Sequence, residues 1–205
     1  MLNVAAIHEV VRPRGARPLL MVWLQGCRKR CRGCMNEDFL PLVDRLWMTS
    51  GELLERLHDG LEGICFSGGE PFLQAEELAI VAREARTHGF ATLAYSGYTL
   101  EELAQGATSG AAQLLRELDV LIDGEFVEEL AGSFGWRGSS NQRIHRLTNR
   151  YGPELLDDPP STDVRLTAAR LRVVGTANPA VNQLLQVLSE LGVQTRDGVT
   201  FESQS

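Results

Sequence analysis

Residues 19–36, LLMVWLQGCRKRCRGCMN, run an unbroken apolar stretch into three cysteines spaced Cys27-x-x-x-Cys31-x-x-Cys34. Leu19 to Leu24 is shorter than an ordinary helix and reads as a buried strand closed at Gln25-Gly26. Four runs of the same kind follow. Ile64-Cys65-Phe66 ends at Ser67-Gly68-Gly69, and Phe90 to Tyr95 ends at Ser96-Gly97. Val120-Leu121-Ile122 ends at Asp123-Gly124, and Leu171 to Val174 ends at Gly175. Apolar runs without alternation suit parallel strands covered on both faces.

Helical patterns fill the spaces between them. Thr49-x-x-Glu52 is a capping box that opens a helix carrying Leu53, Leu54, Leu57 and Leu61. Ala75 to His88 has helical spacing, with Gly89 placed to end it. Thr99-x-x-Glu102 is a second capping box, and Asn178-Pro179 opens a helix ending at Gly192. Gly152 to Asp163 reads as a loop, and Asp197-Gly198 as the turn of a terminal hairpin. Strands alternating with helices predict an α/β fold with mostly parallel strands. In such folds ligands bind beyond the carboxyl ends of the strands. Cys27 to Cys34, Ser67 to Pro71, Ser96-Gly97 and Asp123-Gly124 are therefore expected on one face.

The 205 residues, 43% hydrophobic and 23% charged, suit one globular domain or two small ones. A net charge of −7 argues against a nucleic-acid partner. No apolar run reaches the ~20 residues of a membrane span. The start, MLNVAAIHEVVRPRG, lacks the pattern of a signal peptide. Three cysteines crowded into eight residues then favour metal ligation in the reducing cytoplasm over a disulfide framework. Thiolates hold iron–sulfur clusters and zinc alike. Three of them on a four-iron cluster leave one iron open, whereas structural zinc needs a fourth donor. Cys65 lies inside a strand, and none of the four histidines has ligand spacing.

These features together resemble the radical S-adenosylmethionine superfamily: the Cys-x3-Cys-x2-Cys loop after the first strand, and Ser67-Gly68-Gly69-Glu70-Pro71 after the second. Tyr95-Ser96-Gly97-Tyr98-Thr99, Leu121 to Phe126 and Arg137-Gly138-Ser139-Ser140-Asn141-Gln142-Arg143 narrow the resemblance. They are similar to segments of the activating proteins of anaerobic ribonucleoside-triphosphate reductase. The resemblance runs from Asn3 to about Leu147 and implies a single domain with its core over about 3–150 and a C-terminal extension over about 151–205. It implies an incomplete (β/α)6-type radical SAM barrel holding one 4Fe–4S cluster on Cys27, Cys31 and Cys34, with S-adenosylmethionine on the open iron. It also implies a glycyl-radical enzyme, anaerobic ribonucleotide reductase, as partner, and a flavodoxin or ferredoxin as electron donor.

The same resemblance implies roles for single residues. Gly68, Gly69 and Glu70 would hold the methionine amino group, chiefly through backbone atoms; a plain strand-to-helix turn is the alternative. Gly33 and Met35 match positions near adenine, with simple packing as the other reading of Met35. Ser96 and Asp123 join the cofactor set, though Asp123 equally suits a helix cap. Arg137, Asn141 and Arg143 would position cofactor or partner, or else form surface ion pairs. No catalytic residue is expected beyond these ligands. Arg28, Lys29, Arg30 and Arg32 interleave the cysteines and are expected to attract an acidic electron donor. Gly132 to Arg143, with Phe134 and Trp136, is expected to meet the partner.

Two departures stand out. Arg12-Pro13-Arg14-Gly15-Ala16-Arg17 replaces the family's Gly-Pro-Gly segment, and the tail after about Asn149 is longer than the subgroup needs. A radical SAM enzyme acting on a small molecule or peptide, and a zinc-binding interaction protein, are the alternative readings.

Overall fold

The computed structural model describes residues 1–11 and 16–154, the backbone of 162–166 and 171–175, and the helical positions 183, 186, 187 and 190. Eleven strands are present among the described residues. β1 (Leu2–Val10), β2 (Leu19–Leu24) and β3 (Leu46–Met48) precede α1 (Ser50–Leu54) and β4 (Gly63–Gly68). Next come α2 (Ala75–Thr87), β5 (Ala91–Ser96), α3 (Leu100–Ala104), α4 (Ala111–Glu117) and β6 (Val120–Asp123). β7 (Ala131–Phe134), β8 (Arg137–Ser139), β9 (Arg143–Arg146), β10 (Thr162–Leu166) and β11 (Leu171–Gly175) complete the series.

Seven strands form one open sheet in the order β3-β1-β2-β4-β5-β6-β9. The inner four, β2, β4, β5 and β6, are parallel, which meets the expectation for the four runs read from sequence. The edges correct it: β1 and β3 add antiparallel strands on one side, and β9 adds one on the other. Three parallel pairings stand where about six β/α units are expected. β11 is also a correction, because it pairs antiparallel with β10 in a separate two-stranded sheet. That strand pair begins at Thr162, inside the stretch read as loop. The expected helix from Asn178 to Gly192 lies mostly outside the described residues, as do the hairpin at Asp197-Gly198 and most of the Arg12 to Arg17 segment.

Strand residues alternate between two apolar faces, as pleating requires. Leu20, Val22, Leu24, Ile64, Phe66, Ala94 and Leu121 pack on one side with Leu78, Val81, Ala82 and Ala85 of α2 and Leu114 of α4. Leu19, Cys65, Leu93, Val120 and Ile122 occupy the other side, packed among the described residues by Met21, Tyr95, Trp136, Ile144 and Tyr151. Both capping boxes form, on Thr49 and Thr99. α1 stops at Leu54 instead of reaching Leu61. Arg56 and Leu57 donate to carbonyls three residues back, and this tighter winding ends the helix while still burying Leu61. Gly89 follows α2 with φ of 83°, the left-handed stop expected of it.

Candidate active site

The loops after β2, β4, β5 and β6 emerge at one end of the parallel strands, and hydrogen bonds join them. Gly26 carries φ of 100°, donates to the Phe39 carbonyl at 2.8 Å and accepts from the Glu70 amide at 2.8 Å. Gly69 lies so close that a Cβ would overlap the Gly26 carbonyl, and a Cβ on Gly68 would overlap the Leu24 backbone. The Gly-Gly pair is thus what lets the second loop lie directly against the root of the cysteine loop.

Cys27, Cys31 and Cys34 are free thiols on that cysteine loop; Cys27 is buried and the other two half-buried. Burial pushes the Cys31 and Cys34 thiols up from their ordinary value, so ligation must displace protons. Cys31 accepts a backbone hydrogen bond from Phe126, which pulls the other way. Cys65 is wholly buried opposite Met21 in the β2–β4 register, inside the sheet and away from the loop. Among the described residues no three His, Cys, Asp or Glu side chains converge as a single ion needs. A four-iron cluster spreads its thiolates more widely, and the donor chemistry of three free thiols on one loop fits it.

Glu70 turns its side chain inward. It is 1% exposed, accepting at Oε1 from the Phe72 amide and the Ser96 hydroxyl, each 3.0 Å away, and at Oε2 from the Gly97 amide at 2.8 Å. Burial pushes its carboxyl up to about 7. Glu70 and Ser96 therefore tie two loops together through side chains, while the backbone of Gly68 and Gly69 remains the part facing the cysteine loop.

Asp123 is fully buried and surrounded by protein groups. It accepts from the Leu100 amide at the start of α3 (2.6 Å) and from Arg143 through Nε (3.0 Å) and Nη2 (2.6 Å). His145 Nε2 lies 3.0 Å from the same carboxylate without hydrogen-bond alignment. Arg143 also binds Glu101 with both terminal nitrogens, at 3.0 and 2.6 Å. Asp123 thus braces the first turn of α3 from the neighbouring strand while Thr99 is that helix's N-cap, and the ion-pair reading of Arg143 is realised in one cluster that fastens β9 to β6.

Asn141 and Gln142 hold the loop after β6 through the carbonyls of Glu125 and Gly124, each at 2.9 Å. Arg137 binds the Ser140 and Gln142 carbonyls within its own turn. Gly33, with φ of 68°, and Met35, 47% exposed, stand at the open side of the cysteine loop, so Met35 is not a core packing residue. Trp136 leans on the sheet, and its carbonyl accepts from the Tyr95 hydroxyl at 2.9 Å.

Sequence reasoning missed Glu125 and Glu128. Glu125 pairs with Lys29 at 2.9 Å, and Glu128 with Arg32 at 2.9 Å. Each partner is more than 90 positions away, and only the acidic run after Asp123-Gly124 hinted at them.

This arrangement gathers three free thiols on one loop at the carboxyl end of parallel strands, the donor set of an iron–sulfur protein. The family model described as a 4Fe-4S single cluster domain matches residues 11–145. The anaerobic ribonucleoside-triphosphate reductase-activating protein of Vibrio cholerae is 33% identical over 152 residues, covering 68% of this chain and 94% of the relative. Its namesakes in Pasteurella multocida and Escherichia coli K12 are 35% and 32% identical, covering 68% of this chain and 93% and 94% of themselves. The chain belongs to the family of anaerobic ribonucleoside-triphosphate reductase-activating proteins.

Proposed function

We propose that this chain is a radical SAM activase that installs a glycyl radical on anaerobic ribonucleotide reductase. The observation that carries the reading is the meeting of three free thiols with the Gly68-Gly69-Glu70 and Ser96-Gly97 loops at one end of the sheet. Cys27, Cys31 and Cys34 would hold the 4Fe–4S cluster. When bound, the cluster supplies the electron that cleaves S-adenosylmethionine to methionine and a 5′-deoxyadenosyl radical, which takes hydrogen from a glycine of the partner.

The chain's own residues shape the site around that chemistry. Gly68 and Gly69 offer backbone atoms to the methionine end, with Glu70 and Ser96 bracing them from beneath. Gly33 and Met35 lie on the adenine side, while Asp123 and Asn141 hold the loops that close the far wall. Among the described residues, helices pack on one face of the sheet, a pattern that suits an abbreviated radical SAM barrel better than a doubly wound sheet. The open sheet calls for a partner to exclude solvent during reaction. Met35, Leu42, Val43, Leu46 and Trp47, exposed along the segment leaving the cysteine loop, supply apolar surface for it.

In this reading the protein works in the cytoplasm, whose reducing conditions keep thiols available as cluster ligands, with an acidic flavodoxin or ferredoxin as donor. No helix among the described residues is long and apolar enough to cross a membrane. The C-terminal extension is a part of the same chain outside the family match, and it favours one second reading, a small-molecule or peptide substrate. Iron and sulfide analysis with anaerobic assay of S-adenosylmethionine cleavage tests the proposal. Four irons and reductive release of methionine support it; bound zinc without iron after anaerobic purification overturns it.

A further inference from the structure

All but one of the 20 basic residues are arginine, and the exception, Lys29, sits between the first two cluster ligands. Its neighbours Arg28 and Arg30 are exposed, yet the Lys29 side chain is only 17% exposed. Three groups enclose it. Its ammonium donates to Glu125 Oε1 at 2.9 Å and lies 4.2 Å from the centre of the Tyr98 ring. Its stem passes over Gly97, where a Cβ would stand 3.1 Å from Lys29 Cγ. Gly97 is not among the glycines with positive φ, so its missing side chain gives room rather than backbone freedom. A thin stem with a compact ammonium passes such a slot, whereas a planar guanidinium is wider. The second oxygen of Glu125 faces Cys31 Sγ at 4.0 Å. One carboxylate thus stands between the ammonium and a cluster ligand. The other tie, Arg32 to Glu128, joins a side chain 84% exposed and is screened by water.

We propose that Lys29 is a positioning residue that seats the ligand loop against Gly97, Tyr98 and Glu125 and supplies the fixed positive charge that raises the cluster's reduction potential. The inference rests on the cluster-binding reading above. Reduction adds one electron to the cluster, and a nearby cation stabilises the more negative product. Glu125 acts in the opposite sense. Lys29→Met keeps the stem but leaves Glu125 uncompensated beside Cys31, so the potential moves negative. Glu125→Gln moves it positive, and the double variant returns toward wild type, because the two opposing charges are removed together.

The test is an anaerobic potentiometric titration of the reconstituted full-length protein, with iron content and the electron paramagnetic resonance spectrum of the reduced cluster recorded for each variant. Opposite shifts in the two single variants at equal iron content support the proposal. Equal potentials in wild type, Lys29→Met and Glu125→Gln overturn it. If Lys29→Met takes up no iron while circular dichroism shows the fold retained, seating is supported, and Glu125→Gln decides the charge: a positive shift supports it and no shift overturns it. A wild-type protein that binds no cluster overturns the site reading itself, an outcome distinct from loaded proteins with unshifted potentials.

Discussion

Replacing Glu70 by glutamine isolates a buried charge that the fold holds at a cost. The folded protein pushes this carboxyl from an ordinary 4.5 to about 7, because burial outweighs the hydrogen bonds from Phe72, Gly97 and Ser96 and the pull of Lys29. The folded state therefore binds the proton more tightly than the unfolded chain does. This group's contribution is most favourable below pH 4.5 and is lost progressively as pH rises toward 7. The loss is about 1.4 kcal/mol per pH unit, or roughly 3 kcal/mol across the window. Glutamine keeps the shape and removes the titration. Its single oxygen can accept from Phe72 and Ser96, but its amide nitrogen then meets the Gly97 N–H, a mismatch of about 1–3 kcal/mol. Wild type should thus be the more stable protein at pH 5, with the difference shrinking by roughly 3 kcal/mol by pH 8. Urea unfolding of reduced, cluster-free wild type and Glu70→Gln at pH 5, 6, 7 and 8 measures it, since other titrating groups cancel in the difference. Stability curves that run parallel with pH would refute the reasoning.

Three further outcomes are expected. Cys27→Ala, Cys31→Ala and Cys34→Ala each abolish cluster assembly while Cys65→Ala retains it, as iron and sulfide analysis will show. Arg143→Ala leaves the buried Asp123 without its guanidinium; discounted for the 44% exposure of the Arg143 side chain, the loss is about 2 kcal/mol of unfolding free energy in urea. Reduction of the cluster by flavodoxin or ferredoxin slows with rising ionic strength, and Arg28→Gln with Arg30→Gln flattens that dependence, because Lys29 and Arg32 already face acidic partners.

The inner sheet was legible because Leu19–Leu24, Ile64–Phe66, Phe90–Tyr95 and Val120–Ile122 are short apolar runs stopped by glycine turns. The caps at Thr49 and Thr99 were legible because their partners lie three residues away. The edges were not. β1 is only partly buried along LNVAAIHEV and carries no clean period, and β9 offers four residues, RIHR, too few to show one. Strand direction is equally hidden, since an apolar run looks the same in either orientation, and the Leu171 run therefore reads as another parallel strand although it pairs antiparallel with β10. Motif positions gave the cysteine loop and its glycine neighbours, yet which loops brace one another depends on pairs such as Lys29 with Glu125 that no local spacing encodes. The inward turn of Glu70 was hidden for the same reason: its partner Gly97 belongs to the next strand's loop.

The activase reading stands or falls on a radical appearing on another protein. Reconstituted chain, reductant and S-adenosylmethionine are mixed without oxygen with a candidate anaerobic ribonucleotide reductase, and the electron paramagnetic resonance spectrum is recorded. A glycyl doublet on the reductase that requires all three loop cysteines is the expected result. A protein that cleaves S-adenosylmethionine in tight coupling to turnover of a small molecule, with no doublet on the reductase, would contradict it.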